Sequence, residues 1–251
     1  MFGENTIVGQ KHFPERGGKL LVVGVFKTIQ GEGMYSGCPA IFVRLAKCNL
    51  ACTFCDTFFD AGKWVEVDAL YKKAGRLAKG KQRNYVLVIT GGEPMLQPSL
   101  VDFIEMQRDD WRAVQIESNG ILLQPLPDST TLVVSPKCLE KEGKPHSYIK
   151  PPEKSLTRAD GLKFVMSAKV TSPYSSVPGW AARWQKKTGK DVFVSPMAIY
   201  KRKPNNEIAS FWNDSLMDSE ANRRNHEHTA QYALKNGYRF QVQAHLYGGV
   251  A

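Results

Sequence analysis

Cys48, Cys52 and Cys55 fall within eight residues, spaced C-x3-C-x2-C, directly after the apolar run 41–46. A strand is expected there, and it delivers the cysteine loop from its C-terminal end, which is where ligands gather in open α/β sheets. Three thiolates from one loop can hold three irons of a cubane iron–sulfur cluster. Such clusters normally take four cysteines, so a three-cysteine loop leaves one iron open to a small-molecule ligand. The alternative is a zinc knuckle, which needs a fourth Cys or His. No fourth ligand lies close on the C-terminal side, although Cys38 precedes the loop by ten residues.

The rest of the chain shows the same pattern of apolar runs ending in unusual residues. Residues 20–26 form a first buried run and lead to Thr28-Ile-Gln-Gly-Glu-Gly33. Residues 85–89 end in Thr90-Gly-Gly-Glu-Pro94, 113–118 in Asn119-Gly120, 131–134 in Ser135-Pro-Lys137 and 191–195 in Pro196-Met197. Another strand is expected at 161–166. A closing strand is expected at 238–243, leading to His245. Helical spacing appears from Asp68 to Ala78, about 99–108, 175–187 and 215–236, whereas 139–160 reads as a long loop or a short, poorly packed element. Strands alternating with helices predict an α/β fold with a parallel sheet and right-handed crossovers. Each special residue is expected beyond a strand's C-terminal end. Residues 1–19 read as a polar, glycine-containing extension and 20–251 as one domain, a shortened parallel β/α barrel.

At 251 residues with 42% hydrophobic and 23% charged residues, the composition is that of a soluble globular protein. No apolar run is long enough to cross a bilayer, and residues 1–19 lack the apolar core of a secretory signal. Five cysteines, three of them clustered, do not make a disulfide framework. A cytoplasmic location follows, with Cys38 and Cys138 as buried thiols. The net charge of +10 raises a nucleic-acid partner. Yet Lys72, Lys73, Arg76, Lys79, Lys81, Arg83, 201–203 and Arg223-Arg224 are not interleaved with stacking aromatics. A solvated basic surface is expected, without direct nucleic-acid binding.

These blocks, in this order, resemble the 7-carboxy-7-deazaguanine synthases of the radical S-adenosylmethionine (SAM) superfamily. The resemblance rests on 28–33, Gly37-x-Pro39-Ala40, Phe42-Val-Arg44-Leu45, the cysteine loop with Asp56-Thr57, 88–94, 116–120, 134–137 and the terminal Gln243-x-His245. It implies conversion of 6-carboxy-5,6,7,8-tetrahydropterin to 7-carboxy-7-deazaguanine with loss of ammonia, on the route to queuosine-type bases. It also implies a 4Fe-4S cluster, SAM, Mg2+, a homodimer and an electron donor such as flavodoxin or ferredoxin. The radical formed from SAM would take hydrogen from substrate C6, and SAM would be regenerated.

Carried over residue by residue, the resemblance makes Cys48, Cys52 and Cys55 the cluster ligands. Phe54, Cys55, Asp56, Gly92, Glu117, Ser118, Ser135, Pro136, Lys137, Ser195 and Pro196 become SAM positions, and Thr57 a magnesium ligand. Ile29, Gln30, Gly31, Arg44, Thr90, His245 and Ala251 become substrate positions. Ser195 departs from the family's usual Gln-Pro. A guanidinium suits a substrate carboxylate because it can fork two bonds to it; the competing role for Arg44 is an ion pair inside the barrel, with Glu32 as partner. Two other readings share the cysteine loop: a radical SAM activating enzyme acting on a partner protein, and a zinc-stabilised basic RNA-binding module. The first leaves the Gln-Gly-Glu-Gly and terminal His blocks unexplained, and the second predicts a colourless protein where a cluster would be brown.

Overall fold

The computed structural model describes residues 13, 16–107, 109–202 and 208–250. Strands β1 (Lys19–Ile29), β2 (Pro39–Leu45), β3 (Lys63–Glu66), β4 (Val86–Gly91), β5 (Ala113–Ser118), β6 (Thr130–Val134), β9 (Gly161–Met166), β10 (Asp191–Pro196) and β11 (Arg239–Phe240) form one sheet. Its order is β11-β10-β9-β6-β5-β4-β2-β1-β3. From β2 through β11 every neighbouring pair is parallel, which makes a partial barrel with two antiparallel strands added at one edge.

Period-two alternation divides the two faces of this sheet. On the outer face Ile41, Val43 and Leu45 of β2 join Leu87 and Ile89 of β4 and Val114 and Ile116 of β5 in the main core. Leu162, Phe164 and Met166 of β9 and Val192 and Val194 of β10 continue that core. Helices α1 (Val67–Leu77), α2 (Leu100–Glu105), α3 (Glu153–Arg158) and α4 (Gly179–Thr188) add apolar residues to it, among them Leu70, Phe103, Leu156 and Trp184. Truncating one such side chain, Leu87→Ala for example, costs about 2–5 kcal/mol. The inner face is different. Phe42 and Arg44, Thr90, Glu117, Lys163 and Val165 come from the alternate positions of these strands and line a cavity.

Several elements depart from the sequence expectations. The first strand is antiparallel, with Val22 opposite Leu45 and Ile29 opposite Pro39. The connection at 30–38 is too short for a parallel crossover, which takes a dozen residues or more. The Gln-Gly-Glu-Gly block therefore starts from the N-terminal edge of the parallel strands, opposite the cysteine loop. It then folds back across the inner face: Gly33 N donates to Gln241 Oε1 at 2.7 Å and Gln241 Nε2 returns a bond to Gly33 O.

The span 139–160 is ordered. It contains a hairpin, β7 (Cys138–Lys141) with β8 (Lys144–Tyr148), followed by α3. The helix α1 begins one residue before Asp68 and follows β3, which the sequence pattern did not separate from its surroundings. The second helix is only six residues long. Pro178 holds an extended backbone and delays α4 until Gly179. Asp218 accepts from Ala221 N at 3.0 Å, so the long polar helix α5 (Ser219–Asn236) starts at Ser219. The closing strand is two residues long, and His245 sits in a short helix α6 (Ala244–Gly248). Of the extension, only residues 13 and 16–19 are described. The Phe13 ring packs edge-on to Trp64, centroids 5.6 Å apart. The basic residues at 72–83, Lys201, Arg202, Arg223 and Arg224 are exposed, as a solvated surface requires; Lys203 lies outside the described residues.

Candidate functional site

The cysteine loop leaves β2 through Lys47, whose φ of +70° turns the chain sharply. Lys47 N donates to Phe59 O at 2.7 Å, closing the loop at its base. The end of β4 presses against this turn. Gly92 N donates to Leu45 O at 2.9 Å, and Glu93 N to Lys47 O at 2.8 Å. Gly91 adopts φ +133°, and a Cβ there would lie 2.1 Å from Leu45 O. Only glycine permits that approach.

Glu93 is fully buried with its carboxylate turned away from the cavity. It accepts from Met95 N at 3.0 Å, Ser118 Oγ at 2.8 Å and Asn119 N at 2.7 Å. Burial outweighs these donors and raises its pKa. Asn119 Nδ2 reaches Asn49 Oδ1 at 2.6 Å, so the strand ends of β4 and β5 hold the cysteine loop from one side. On the other side Glu140 of the β7–β8 hairpin accepts from Thr53 N at about 3.0 Å.

Cys48, Cys52 and Cys55 line one cavity of about 230 Å³. Burial raises the thiols of Cys48 and Cys55 to about 12 and that of Cys52 to about 11. Neutral thiols crowded away from water want a positive centre, and a bound metal deprotonates a coordinating thiol outright. Three thiolates from one loop suit a cubane in which each takes its own iron and the fourth iron stays open. Cys38 packs instead with Ala40, Val86 and Val88 in a separate apolar cluster, and Cys138 N bonds to Tyr174 Oη. The donor set therefore fits a three-thiolate cluster with one open iron.

Around the thiols the cavity gathers Phe54, Asp56, Thr57, Gly92, Glu117, Ser118, Ser135, Lys137 and Pro196. Gln30, Gly31, Arg44, Thr90 and His245 line it too. Ile29, Pro136 and Ser195 do not, and Ala251 lies outside the described residues. The Ser135 carbonyl and hydroxyl both accept from Lys137 Nζ, at 2.7 and 2.6 Å. Burial lowers the Lys137 pKa. Thr57 Oγ1 donates to Asp56 Oδ1 at 3.3 Å, and Gln243 Nε2 donates to Asp56 Oδ2 at 3.3 Å.

Arg44 does not pair with Glu32. Its guanidinium lies over the Phe26 ring, 4.9 Å from the centroid, and its buried Nε has no hydrogen-bond partner among the described residues. Burial lowers its pKa against the pull of Asp56, Cys55 and Tyr200. Glu32 pairs with Lys163 at 2.9 Å, and Ser195 Oγ donates to its other oxygen. Burial pushes the Glu32 pKa up, but Lys163 and Ser195 outweigh it and leave it lowered. Lys163 also donates to Glu117 Oε2 at 2.8 Å. Sequence reasoning missed Lys163; the available signal was one lysine at an inner-face position of an apolar strand. It also missed Tyr200 and Met197, which line the cavity from the segment after β10. His245 stands over Gly31, where a Cβ would lie 3.1 Å from its Nδ1. Burial lowers the His245 pKa, so the imidazole is neutral at neutral pH.

A family model, the Radical SAM superfamily, matches residues 43–134, from β2 through β6. A 7-carboxy-7-deazaguanine synthase of Rickettsia prowazekii is 35% identical over 95% of this chain and 94% of its own. One of Rhodospirillum rubrum is 32% identical over 98% and 97%. The chain belongs to this synthase family. The crystal structure of QueE from Escherichia coli is 22% identical, with a TM-score of 0.61 over 90% of this chain and 94% of that one, and shares the fold. Within the synthase family the cysteine loop and the Gly91-Gly92 turn fall inside the radical SAM match. The Gln30–Glu32 loop, Lys163, Ser195 and His245 fall outside it.

Proposed function

We propose that the chain converts 6-carboxy-5,6,7,8-tetrahydropterin to 7-carboxy-7-deazaguanine and ammonia. The observation that carries this reading is the full-length likeness to named synthases, with the three cysteines, Arg44 and the 30–32 loop meeting in one cavity. Cys48, Cys52 and Cys55 would hold a 4Fe-4S cluster, which together with SAM would supply the one-electron chemistry.

The chain's own residues bind, orient and exclude water. The backbone at Gly92 admits SAM close to the strand end, beside Phe54, Asp56, Ser135, Lys137 and Pro196. Glu117 and Ser118 border the same space with side chains already engaged, Glu117 by Lys163 and Ser118 by Glu93. Ile29, Pro136 and Ser195 act from behind the cavity wall. Arg44 holds the substrate carboxylate: its buried Nε lacks a partner among the described residues, and its donors suit a bidentate anion. Gln30, Gly31 and Thr90 flank the pterin. Neutral His245 closes the cavity from α6, with the Ala251 carboxylate following it.

Thr57, beside Asp56, offers magnesium an oxygen ligand, and substrate oxygens and water complete the preferred octahedron. The enzyme works in the cytoplasm as a homodimer and takes electrons from a flavodoxin or ferredoxin; these points rest on the family resemblance. Among the described residues no helix is long and apolar enough to cross a membrane.

The test is turnover by anaerobically reconstituted enzyme with SAM, dithionite and Mg2+. Equal amounts of 7-carboxy-7-deazaguanine and ammonia are expected. An intact cluster that cleaves SAM but leaves the carboxy-tetrahydropterin unchanged would assign another substrate.

A further inference from the structure

Lys163 is the one charged residue of β9, and it stands on the inner face with its side chain 7% exposed. Its ammonium bridges Glu32 Oε2 at 2.9 Å and Glu117 Oε2 at 2.8 Å. The two carboxylates are used differently. Glu117 Oε1 already accepts from Gln30 Nε2 at 2.8 Å and from Gln115 Nε2 at 3.2 Å. Glu32 accepts one donor at each oxygen, Ser195 Oγ at Oε1 and Lys163 at Oε2.

A carboxylate has about four lone-pair sites and an ammonium has three N–H donors. Each oxygen of Glu32 therefore keeps an open acceptor direction, and Lys163 keeps one proton. Both side chains face the cavity, and Glu32 remains 14% exposed there. This corner of the site thus presents two acceptors on one rigid carboxylate, flanked by one donor. Arg44 carries donors only and suits the opposite, anionic end of a ligand.

The geometry points to Glu32 and Lys163 as the pair that reads the 2-amino-4-oxo edge of the substrate's pyrimidine ring. That edge runs donor, donor, acceptor. The 2-amino group and N3–H donate to Glu32, and the 4-oxo group accepts the third proton of Lys163. Glu117 is a positioning residue that acts through Lys163 and Gln30. Ser195, where this chain departs from the family's glutamine, fixes the orientation of Glu32. This assignment rests on the pterin substrate proposed above.

The experiment uses cluster-loaded, SAM-saturated enzyme without reductant. Calorimetry measures binding of pterin-6-carboxylate and of its 2-oxo counterpart, lumazine-6-carboxylate. The wild-type enzyme is expected to prefer the 2-amino edge by about 100-fold, since a mismatched edge leaves buried polar groups unpaired. Glu32→Gln is expected to lose about 100-fold for the pterin and nearly all of the preference, because its amide places a donor against the N–H groups. Its SAM affinity should stay within about threefold of wild type, as a purely structural defect would not allow.

If Glu32→Gln does not load its cluster, Ser195→Ala gives the same readout without a change of charge, with an expected drop in edge preference of about tenfold. An undiminished preference in Glu32→Gln, or in Ser195→Ala where that variant is used, overturns the assignment. So does a wild-type enzyme with no preference. Turnover of the carboxy-tetrahydropterin is scored separately. Edge preference without turnover removes the reaction and leaves the reading pair, and turnover without edge preference does the reverse.

Discussion

A Cβ built on Gly92 would lie 1.9 Å from the carbonyl oxygen of Lys47. The end of β4 and the entry to the cysteine loop are thus in backbone contact, and Glu93 N bonds to that same carbonyl. Gly92→Ala must push the loop aside. Overpacking of this kind costs about 1–3 kcal/mol or more. The variant is expected to melt lower as apoprotein and to retain well under half the wild-type iron. Wild-type melting and iron content together would show that the contact does not shape the loop.

The three thiols give the apoprotein an alkaline weakness. Their folded pKa values, about 12, 11 and 12, stand above the ordinary 9.0 because burial disfavours the thiolate. The unfolded chain therefore releases protons first as the pH rises past 9, and folding loses stability between there and the folded values. Urea midpoints of apoprotein should fall from pH 8 to pH 10. A Cys48→Ser, Cys52→Ser, Cys55→Ser variant should show a flatter profile and no brown colour after reconstitution. Equal slopes for the two proteins would remove the thiols as the cause.

Arg44 tests the proposed substrate end of the cavity. Arg44→Ala removes a buried guanidinium whose Nε has no hydrogen-bond partner among the described residues, and hydrogen bonds to charged groups are worth about 1.5–3 kcal/mol. Substrate affinity is expected to fall about 10- to 100-fold while SAM affinity holds. Equal loss of both would make Arg44 structural.

Asn225 ties α5 to the sheet. Its Oδ1 accepts from Ala168 N at 2.8 Å and its Nδ2 donates to Met197 O at 2.8 Å, just beyond β9 and β10. Asn225→Ala leaves two backbone groups unsatisfied, at about 1–3 kcal/mol each. Chemical denaturation should show a loss of that order. A change under about 0.5 kcal/mol, the range of ordinary surface substitutions, would mean that other partners replace the side chain.

Asn225 also shows where sequence reasoning stops. The strands were legible because their outer faces are apolar runs, and 113–118 and 161–166 have the expected bounds. The helix α5 was visible only as polar, since its buried face is Asn222, Asn225, Thr229 and Ala233. Two of these are asparagines that bond to backbone next to the strand ends, which no hydrophobic period reveals. The antiparallel first strand escaped for a related reason: an apolar run carries no direction, and the short link at 30–38 was the usable sign.

In the site, the glycines and cysteines were legible as types of residue that chemistry demands. Lys163 was not, because a lone lysine declares its role only when Glu32 and Glu117 arrive from distant segments. Ser195 could be placed next to Pro196 but not aimed. Its hydroxyl turns to Glu32, a contact 163 residues apart in sequence.

The central claim is that one cavity brings the SAM held at the cysteine loop against C6 of the substrate beside Arg44 and Glu32. The most direct measurement uses carboxy-tetrahydropterin deuterated at C6, turned over by the reconstituted enzyme, with recovered SAM analysed by mass. Deuterium in SAM together with 7-carboxy-7-deazaguanine is the predicted result. Product formed with no label in SAM, or SAM cleaved with no product from an intact cluster, would contradict it.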